Sequence, residues 1–256
     1  MNHLKKLSAI VLLFAAFGMT SCSEVEPLDP AIVINPSNPS NPSNPSNPGN
    51  PGSSTGDYWP AALNNEWTFE MNGVEQEPIK IVSINSLNGH TYYTFGSFPG
   101  TSAGGITGTA VTRMRKTGAS YYIKVEDIVT QPQGVIPGST TTGYESIYLK
   151  DDLPVGGTWS SSYTTTTTYT DPIFPVISME TQITGTIEEK GIEVTVGDET
   201  FTDVIKTKYV QTVDLMGQMS STTSYYWFAK DIGPIRVRTE SEGVVYDQML
   251  IDYFLN

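Results

Sequence analysis

Between Met179 and Glu188 the chain alternates without a break. Met179, Thr181, Ile183, Gly185 and Ile187 fall on one side; Glu180, Gln182, Thr184, Thr186 and Glu188 fall on the other. A period of two sends successive side chains to opposite faces of a strand, so this segment carries one buried face and one wet face, as antiparallel sheets often do. Strand signals of this kind recur from Asp57 to Asn256, and no stretch keeps helical periodicity for more than two turns. The pattern predicts an all-β, antiparallel domain of about a dozen strands, mostly joined by hairpins.

The turns punctuate that reading. Trp67-Thr-Phe69-Glu-Met71 runs into Asn72-Gly73, and Ile79 to Ile84 leads through Asn88-Gly89 into His90 to Phe95. Asn-Gly supplies the two positive-φ positions that a tight hairpin needs. Thr109 to Lys116 and Ala119 to Asp127 flank Thr117-Gly118, followed by Tyr144 to Leu149 and a long polar strand from Trp159 to Tyr169. Lys190-Gly191 reads as a turn into Ile192 to Val196; Phe201 to Leu215, Met219 to Ala229, Ile235 to Glu240 and Val244 to Leu255 complete the set. Trp67 and Trp159 each open a strand after a similar turn, in Ala61-Ala-Leu-Asn-Asn-Glu-Trp67 and Leu153-Pro-Val-Gly-Gly-Thr-Trp159. Tryptophan buries a large area and its N–H can cap a carbonyl, so both are read as structural anchors.

Ahead of this domain the sequence changes character twice. Lys5 and Lys6 precede an apolar core from Leu7 to Phe17, then Thr20, Ser21 and the chain's single cysteine, Cys22. Eleven residues fall short of the ~20 that a transmembrane helix requires, which leaves an export signal over residues 1–21. An exported chain with one cysteine forms no internal disulfide, so the thiol needs another purpose. The segment resembles a bacterial lipoprotein signal, with the Ser-Cys junction of the looser Bacteroidota form. That resemblance implies lipidation at Cys22. Each buried methylene contributes about 0.8 kcal/mol, so two or three acyl chains hold firmly where one would not. Glu24 and Glu26, just behind Cys22, resemble the signal that carries Bacteroidota lipoproteins to the outer face of the outer membrane; a plain acidic tether facing the periplasm is the alternative.

Asn35 to Gly52 is Asn-Pro-Ser four times and Asn-Pro-Gly twice. Proline at every third position fixes φ and removes donors, and nothing apolar is available for a core. In polyproline II these residues reach about 55 Å. The expected organisation is therefore a signal over 1–21, the lipidated cysteine and linker over 22–56, and one β-domain over 57–256.

The domain's motifs resemble those of bacterial lipoproteins that carry a DUF3108-like or TapB-like β-domain. The resemblance rests on Tyr58-Trp-Pro-Ala-Ala-Leu-Asn-Asn-Glu-Trp67-Thr-Phe, Leu153-Pro-Val-Gly-Gly-Thr-Trp159, Val194 to Val204, and Tyr226-Trp-Phe-Ala-Lys-Asp-Ile-Gly233-Pro-Ile. It covers most of 57–256 in order, although Asn65 replaces the family's first glycine and Asp198 to Thr200 depart from its usual glycine before Phe201. It implies a curved antiparallel sheet or half-barrel, similar to periplasmic lipoprotein carriers, that could cradle an apolar ligand on its concave side, and it carries no catalytic residues.

Chemistry is scarce in the residues themselves. The formal charge is −13, and removal of residues 1–21 takes away two lysines and no acid, giving −15. An acidic surface disfavours nucleic acid and anionic headgroups. The densest basic cluster, Arg113-Met-Arg115-Lys116, reads as a solvated strand edge. His90, the one histidine beyond the signal, follows a hairpin turn and is expected in solvent. One imidazole without a thiol seeds neither a triad nor a typical zinc site, so no catalytic residue, metal or cofactor is assigned. The acids Asp151-Asp152, Glu188-Glu189, Asp198-Glu199 and Asp203 read as solvated turns.

Tyr225-Tyr226-Trp227-Phe228 is the densest aromatic run, and alternation splits it into two pairs on opposite faces. These four are the candidate ligand-binding residues, with one pair expected in the core. The expectation is a non-enzymatic, membrane-anchored domain that binds a small apolar ligand or a protein partner. A carbohydrate-binding accessory lipoprotein of a glycan-uptake system comes second and a hydrolase last.

Overall fold

A computed structural model describes residues 53–96, 108–241 and 243–256. The signal, Cys22, Glu24, Glu26 and the Asn-Pro repeats lie outside the described residues. Sixteen strands follow. The first half holds β1 (Glu66–Met71), β2 (Val74–Glu75), β3 (Ile79–Leu87), β4 (His90–Phe95), β5 (Gly108–Thr109), β6 (Thr112–Thr117), β7 (Ser120–Val125), β8 (Ile128–Thr130), β9 (Ser139–Thr141) and β10 (Tyr144–Lys150). Longer strands make up the second half: β11 (Thr158–Tyr169), β12 (Ile177–Val196), β13 (Glu199–Leu215), β14 (Gln218–Ala229), β15 (Gly233–Ser241) and β16 (Val244–Phe254). The all-β antiparallel expectation holds. The strand number exceeds a dozen because β2, β5, β8 and β9 are only two or three residues long, too short to show a period.

All sixteen belong to one sheet, ordered β10-β7-β6-β4-β3-β1-β16-β15-β14-β13-β12-β11-β9-β8-β5, with β2 beside β1 and every pair antiparallel. This order forces curvature. Along the ladder β10 and β11 stand eleven steps apart, about 50 Å in a flat sheet. The connection from Lys150 to Thr158 reaches at most about 28 Å. The sheet therefore curls until β10 meets β11, and the two join through side chains rather than a ladder. Ile147 N–H donates to Ser161 Oγ at 3.0 Å, and Trp159 Nε1 donates to the Ile147 carbonyl at 3.4 Å. Further along, β11 switches partners and pairs with β9 from Thr167 to Tyr169.

The buried side of β12 matches the alternation: Thr181, Ile183, Gly185 and Ile187 are buried, while Gln182 and Thr184 are exposed. One sequence expectation is corrected here. Lys190-Gly191 does not reverse the chain; β12 runs on to Val196. Gly191 sits at φ 68 amid register shifts, and these bulges move the inward phase from Ile187 to Ile192 and Val194. The reversal comes at Gly197, at φ 58.

Both anchor tryptophans cap carbonyls. Trp67, fully buried, donates Nε1–H to the Ile232 carbonyl at 2.7 Å. Gly233 lies against it at φ +115, and a β-carbon there would stand 3.0 Å from Trp67 Nε1. Trp59 fills the space between Trp67, Phe95, Tyr148 and Phe228, at ring distances of 5.6–6.4 Å.

Two charged groups depart from their expected exposure. Arg115 lies on β6, which is flanked by β4 and β7 and is no edge. It is 9% exposed, forks onto Glu145 at 2.7 and 2.8 Å, donates to Tyr92 Oη at 3.1 Å and stacks 3.6 Å from the Tyr122 ring. Asp151 is wholly buried rather than solvated. Ser54 Oγ and the Thr55 N–H donate to its carboxylate at 2.5 and 3.2 Å, which pins residues 54 and 55 to the turn after β10.

Candidate functional site

The curl leaves a cavity of about 290 Å³ between β7 and β10 on one side and β11 to β14 on the other. On β10, alternation turns Tyr144, Ser146 and Tyr148 inward, and Ile123 and Val125 of β7 stand beside them. Tyr163 and Ile183 come from β11 and β12, Tyr209 and Gln211 from β13, and Thr222, Ser224 and Tyr226 from β14. Ile147, at the β10–β11 seam, completes the wall. Tyrosine suits such a position because its ring packs against the sheet while its hydroxyl stays polar.

The rings form two groups. Tyr144 and Tyr163 stack across the seam at 4.0 Å and 5°. Deeper in, Tyr226 meets Tyr148 at 5.0 Å and Tyr209 at 4.7 Å, both edge-on, and Tyr209 packs edge-on against Trp159 at 5.6 Å. Trp159 in turn lies over Gly185, where a β-carbon would stand 2.3 Å from the indole. Only glycine at that position lets the ring lie flat enough to carry the wall.

None of the thirteen lining residues is charged. Burial is the first cause that pushes the Tyr144, Tyr148, Tyr163, Tyr209 and Tyr226 hydroxyls above their ordinary 10.0. Neighbouring tyrosines push Tyr148, Tyr163 and Tyr209 up further. All five are neutral O–H groups at physiological pH. The Tyr209 hydroxyl is buried without a hydrogen-bond partner among the described residues, and the residue is 5% exposed. The walls thus offer aromatic faces, aliphatic patches and the neutral polar groups of Ser146, Gln211, Thr222, Ser224 and the tyrosines.

The four aromatics singled out by sequence divide as alternation requires. Tyr226 lines the cavity, and Phe228 is fully buried beneath Trp59. Tyr225 and Trp227 occupy the opposite face, half-buried, with ring centres 6.4 Å apart. Lys206 stands 5.6 and 5.7 Å from those rings, and Arg236 lies 5.2 Å over Trp227 while forking onto Asp247. His90 is exposed at its hairpin and is not among the residues that line the cavity. Among the described residues no group of three or more His, Cys, Asp or Glu is placed to hold a metal ion. Sequence reasoning missed Tyr144, Tyr148, Tyr163 and Tyr209. Each sits on a strand that the alternation predicts, and the signal available was a pair of tyrosines four positions apart, on one face of a strand, in Tyr144-Glu-Ser-Ile-Tyr148.

No family model matches the chain, and no curated protein matches it, so the DUF3108-like or TapB-like resemblance stands on its short motifs alone. Two similar solved structures are a candidate lipoprotein of Parabacteroides distasonis and a candidate exported protein with a YmcC-like fold of Bacteroides fragilis. The first is 10% identical with a TM-score of 0.46, covering 78% of this chain and 99% of that one. The second is 10% identical with a TM-score of 0.40, covering 78% of this chain and all of that one.

Proposed function

We propose that this chain is a cell-envelope lipoprotein, anchored through Cys22, whose β-domain holds a small ligand in the cavity between β10 and β11–β14 without transforming it. The observation that carries the reading is the cavity itself: about 290 Å³, walled by five tyrosines and by aliphatic side chains, with no charged group. Its size falls just below the usual range for small-molecule pockets, about 300–1,000 Å³. Native mass spectrometry of the full-length, detergent-extracted protein tests the reading. A co-purified mass of a few hundred daltons in the native protein, absent from Ser146→Phe, supports it; bare protein under every growth condition refutes it. The anchor is tested by metabolic labelling with palmitate, which Cys22→Ser abolishes. Outward or periplasmic placement is read by protease treatment of intact cells, with cleavage expected only for the surface location that Glu24 and Glu26 favour.

A second reading, a carbohydrate-binding accessory of a glycan importer, draws on Tyr225 and Trp227 of the outer face, which could stack on a sugar. Lys206 and Arg236 already cover those rings, so this face ranks below the cavity. Glycan binding that is lost in Trp227→Ala and kept in Ser146→Phe would reverse the order.

A further inference from the structure

We propose that the end of the domain opposite its chain entry is a membrane-contact surface, set into the headgroup layer of a zwitterionic bilayer by apolar side chains on four chain reversals. The chain enters beside Asp151, which holds Ser54 and Thr55, and beside Asp231, whose N–H donates to the Asp57 carbonyl. Because the ladder is antiparallel throughout, the reversals alternate between that end and the other. The hairpin turns at the entry end carry polar residues and glycine: Asn88-Gly89, Thr117-Gly118, Gly197-Asp198 and Lys230-Asp231. Those at the far end differ. Val135 tips the β8–β9 hairpin, Ile173 and Phe174 the loop from β11 to β12, and Met216 the turn from β13 to β14, while Val244 opens β16 after the turn from β15. Val135, Ile173 and Met216 are 81%, 85% and 79% exposed. The first two reversals adjoin, the Thr170 N–H donating to the Gly138 carbonyl at 2.8 Å.

These side chains are held out by the turns beneath them. Met216 sits at φ 56, and the other five non-glycine residues at positive φ among the described residues are all Asn or Asp. Asparagine before Gly217 would relieve the turn, so methionine is kept there against backbone strain, and strain of this kind collects at functional positions. The Gly217 N–H donates to Asp214 Oδ1 at 2.7 Å. The Ile173 N–H donates to Asp171 Oδ1 at 3.0 Å, and Pro172 and Pro175 flank Ile173 and Phe174. The reversals after β11 and β13 stand two ladder steps apart, as do those after β13 and β15, about 10 Å in each case. A protein partner would need a separate pocket for each apolar tip, whereas a bilayer receives each one independently. Charge selects the headgroup. Segments 126–143, 168–178, 212–221 and 238–248 hold one cation, Arg238, which is paired with Glu240, beside the acids Asp171 and Asp214. An anionic surface would repel this end and a zwitterionic one would not.

The chain over residues 22–256 with Cys22→Ser carries neither acyl group nor thiol, so its membrane binding is read apart from the anchor and from the cavity. An environment-sensitive dye is attached at Ile173→Cys or, at the entry end, at Asn88→Cys, and each protein is mixed with phosphatidylethanolamine–phosphatidylcholine vesicles. The label at 173 should shift to the blue and be quenched by doxyl groups on the acyl chains, and the label at 88 should do neither. Unlabelled Met216→Asn/Ile173→Ser should lose at least about tenfold in vesicle affinity. Met216→Asn alone should melt about 1–4 °C higher, because the turn is relieved, and still bind vesicles more weakly, which separates the surface from the fold. Adding phosphatidylglycerol should weaken binding, and stronger binding would overturn the headgroup assignment. A label at 173 that stays silent on vesicles, or equal quenching at both positions, overturns the proposal. Silent vesicles together with a photocrosslink from position 173 to one protein in intact cells would assign the surface to a protein partner instead.

Discussion

Replacing Gly185 by alanine tests how the cavity wall is held. The new β-carbon would stand 2.3 Å from Cε2 and Cζ2 of Trp159 and 2.9 Å from Cδ2, distances that no tolerated contact reaches. Strand β12 is laddered on both sides, to β11 and β13, so its backbone cannot retreat. The indole must move instead, giving up its hydrogen bond to Ile147 and its edge-on contact with Tyr209. Overpacking of this kind costs about 1–3 kcal/mol and the aromatic pair contributes about 0.5–1.5, while alanine returns about 0.4–1 through the unfolded chain. The net loss of about 2–3 kcal/mol corresponds to a fall in Tm of about 5–10 °C for a domain of this size. Thermal unfolding followed by near-ultraviolet circular dichroism measures it, and the tryptophan band should weaken in the folded variant. In a Trp159→Val background the same glycine substitution should cost little, since the clash then has no partner. A Gly185→Ala protein that melts at or above the native temperature would refute the reasoning, because it would show that the indole does not lie over Gly185.

Arg115→Met should cost about 2 kcal/mol, since it leaves Glu145 partly buried with only the Tyr92 hydroxyl bond and the charge of Lys124 opposite; the double variant Arg115→Met/Glu145→Met should regain more than half of that in urea unfolding. Stability should fall in acid. Burial pushes the Glu145 carboxyl up, but bonds from Arg115 and Tyr92 and the Arg115 charge outweigh it and hold the group below its ordinary 4.5. Protons then bind the unfolded chain first, so the Glu145 contribution is complete above pH 4.5 and is lost below it. Glu126, between Lys124 and Arg113, acts in the same direction. In Glu145→Gln the decline of Tm between pH 5 and pH 3 should be shallower than in the native protein. Trp67→Phe removes the bond to the Ile232 carbonyl and part of the buried ring, and a loss of about 2–4 kcal/mol is expected in the same unfolding assay.

What could be read in the sequence depended on the range of the interaction that fixed it. The long strands and the Asn-Gly hairpins are local consequences of alternation and of positive φ, and Asn72-Gly73 and Asn88-Gly89 take that geometry. Gly191 looked like a turn because a bulge and a turn ask the same of one residue; only the partner strand β13 decides between them. Arg115 and Asp151 looked solvated because their burial is arranged by residues 30 and 97 positions away, Glu145 and Ser54. The cavity was illegible for the same reason. Its tyrosines lie on β10, β11, β13 and β14, and what brings β10 against β11 is the strand order rather than any local pattern.

That order has one more consequence. Strand β1 pairs with β16 over its whole length, Glu66 opposite Phe254 through Met71 opposite Gln248. Asn256 reinforces the junction, its N–H donating to Asn65 Oδ1 and its Nδ2 to the Leu63 carbonyl. Among the described strands the first is thus paired with the last, across more than 170 residues. Delivery from the N-terminus, off a ribosome or through a membrane pore, leaves β1 lacking that neighbour until β16 emerges, and pairings this remote form slowly. Strand order alone therefore sets a delay: β1 keeps an open edge until the chain has been made as far as β16.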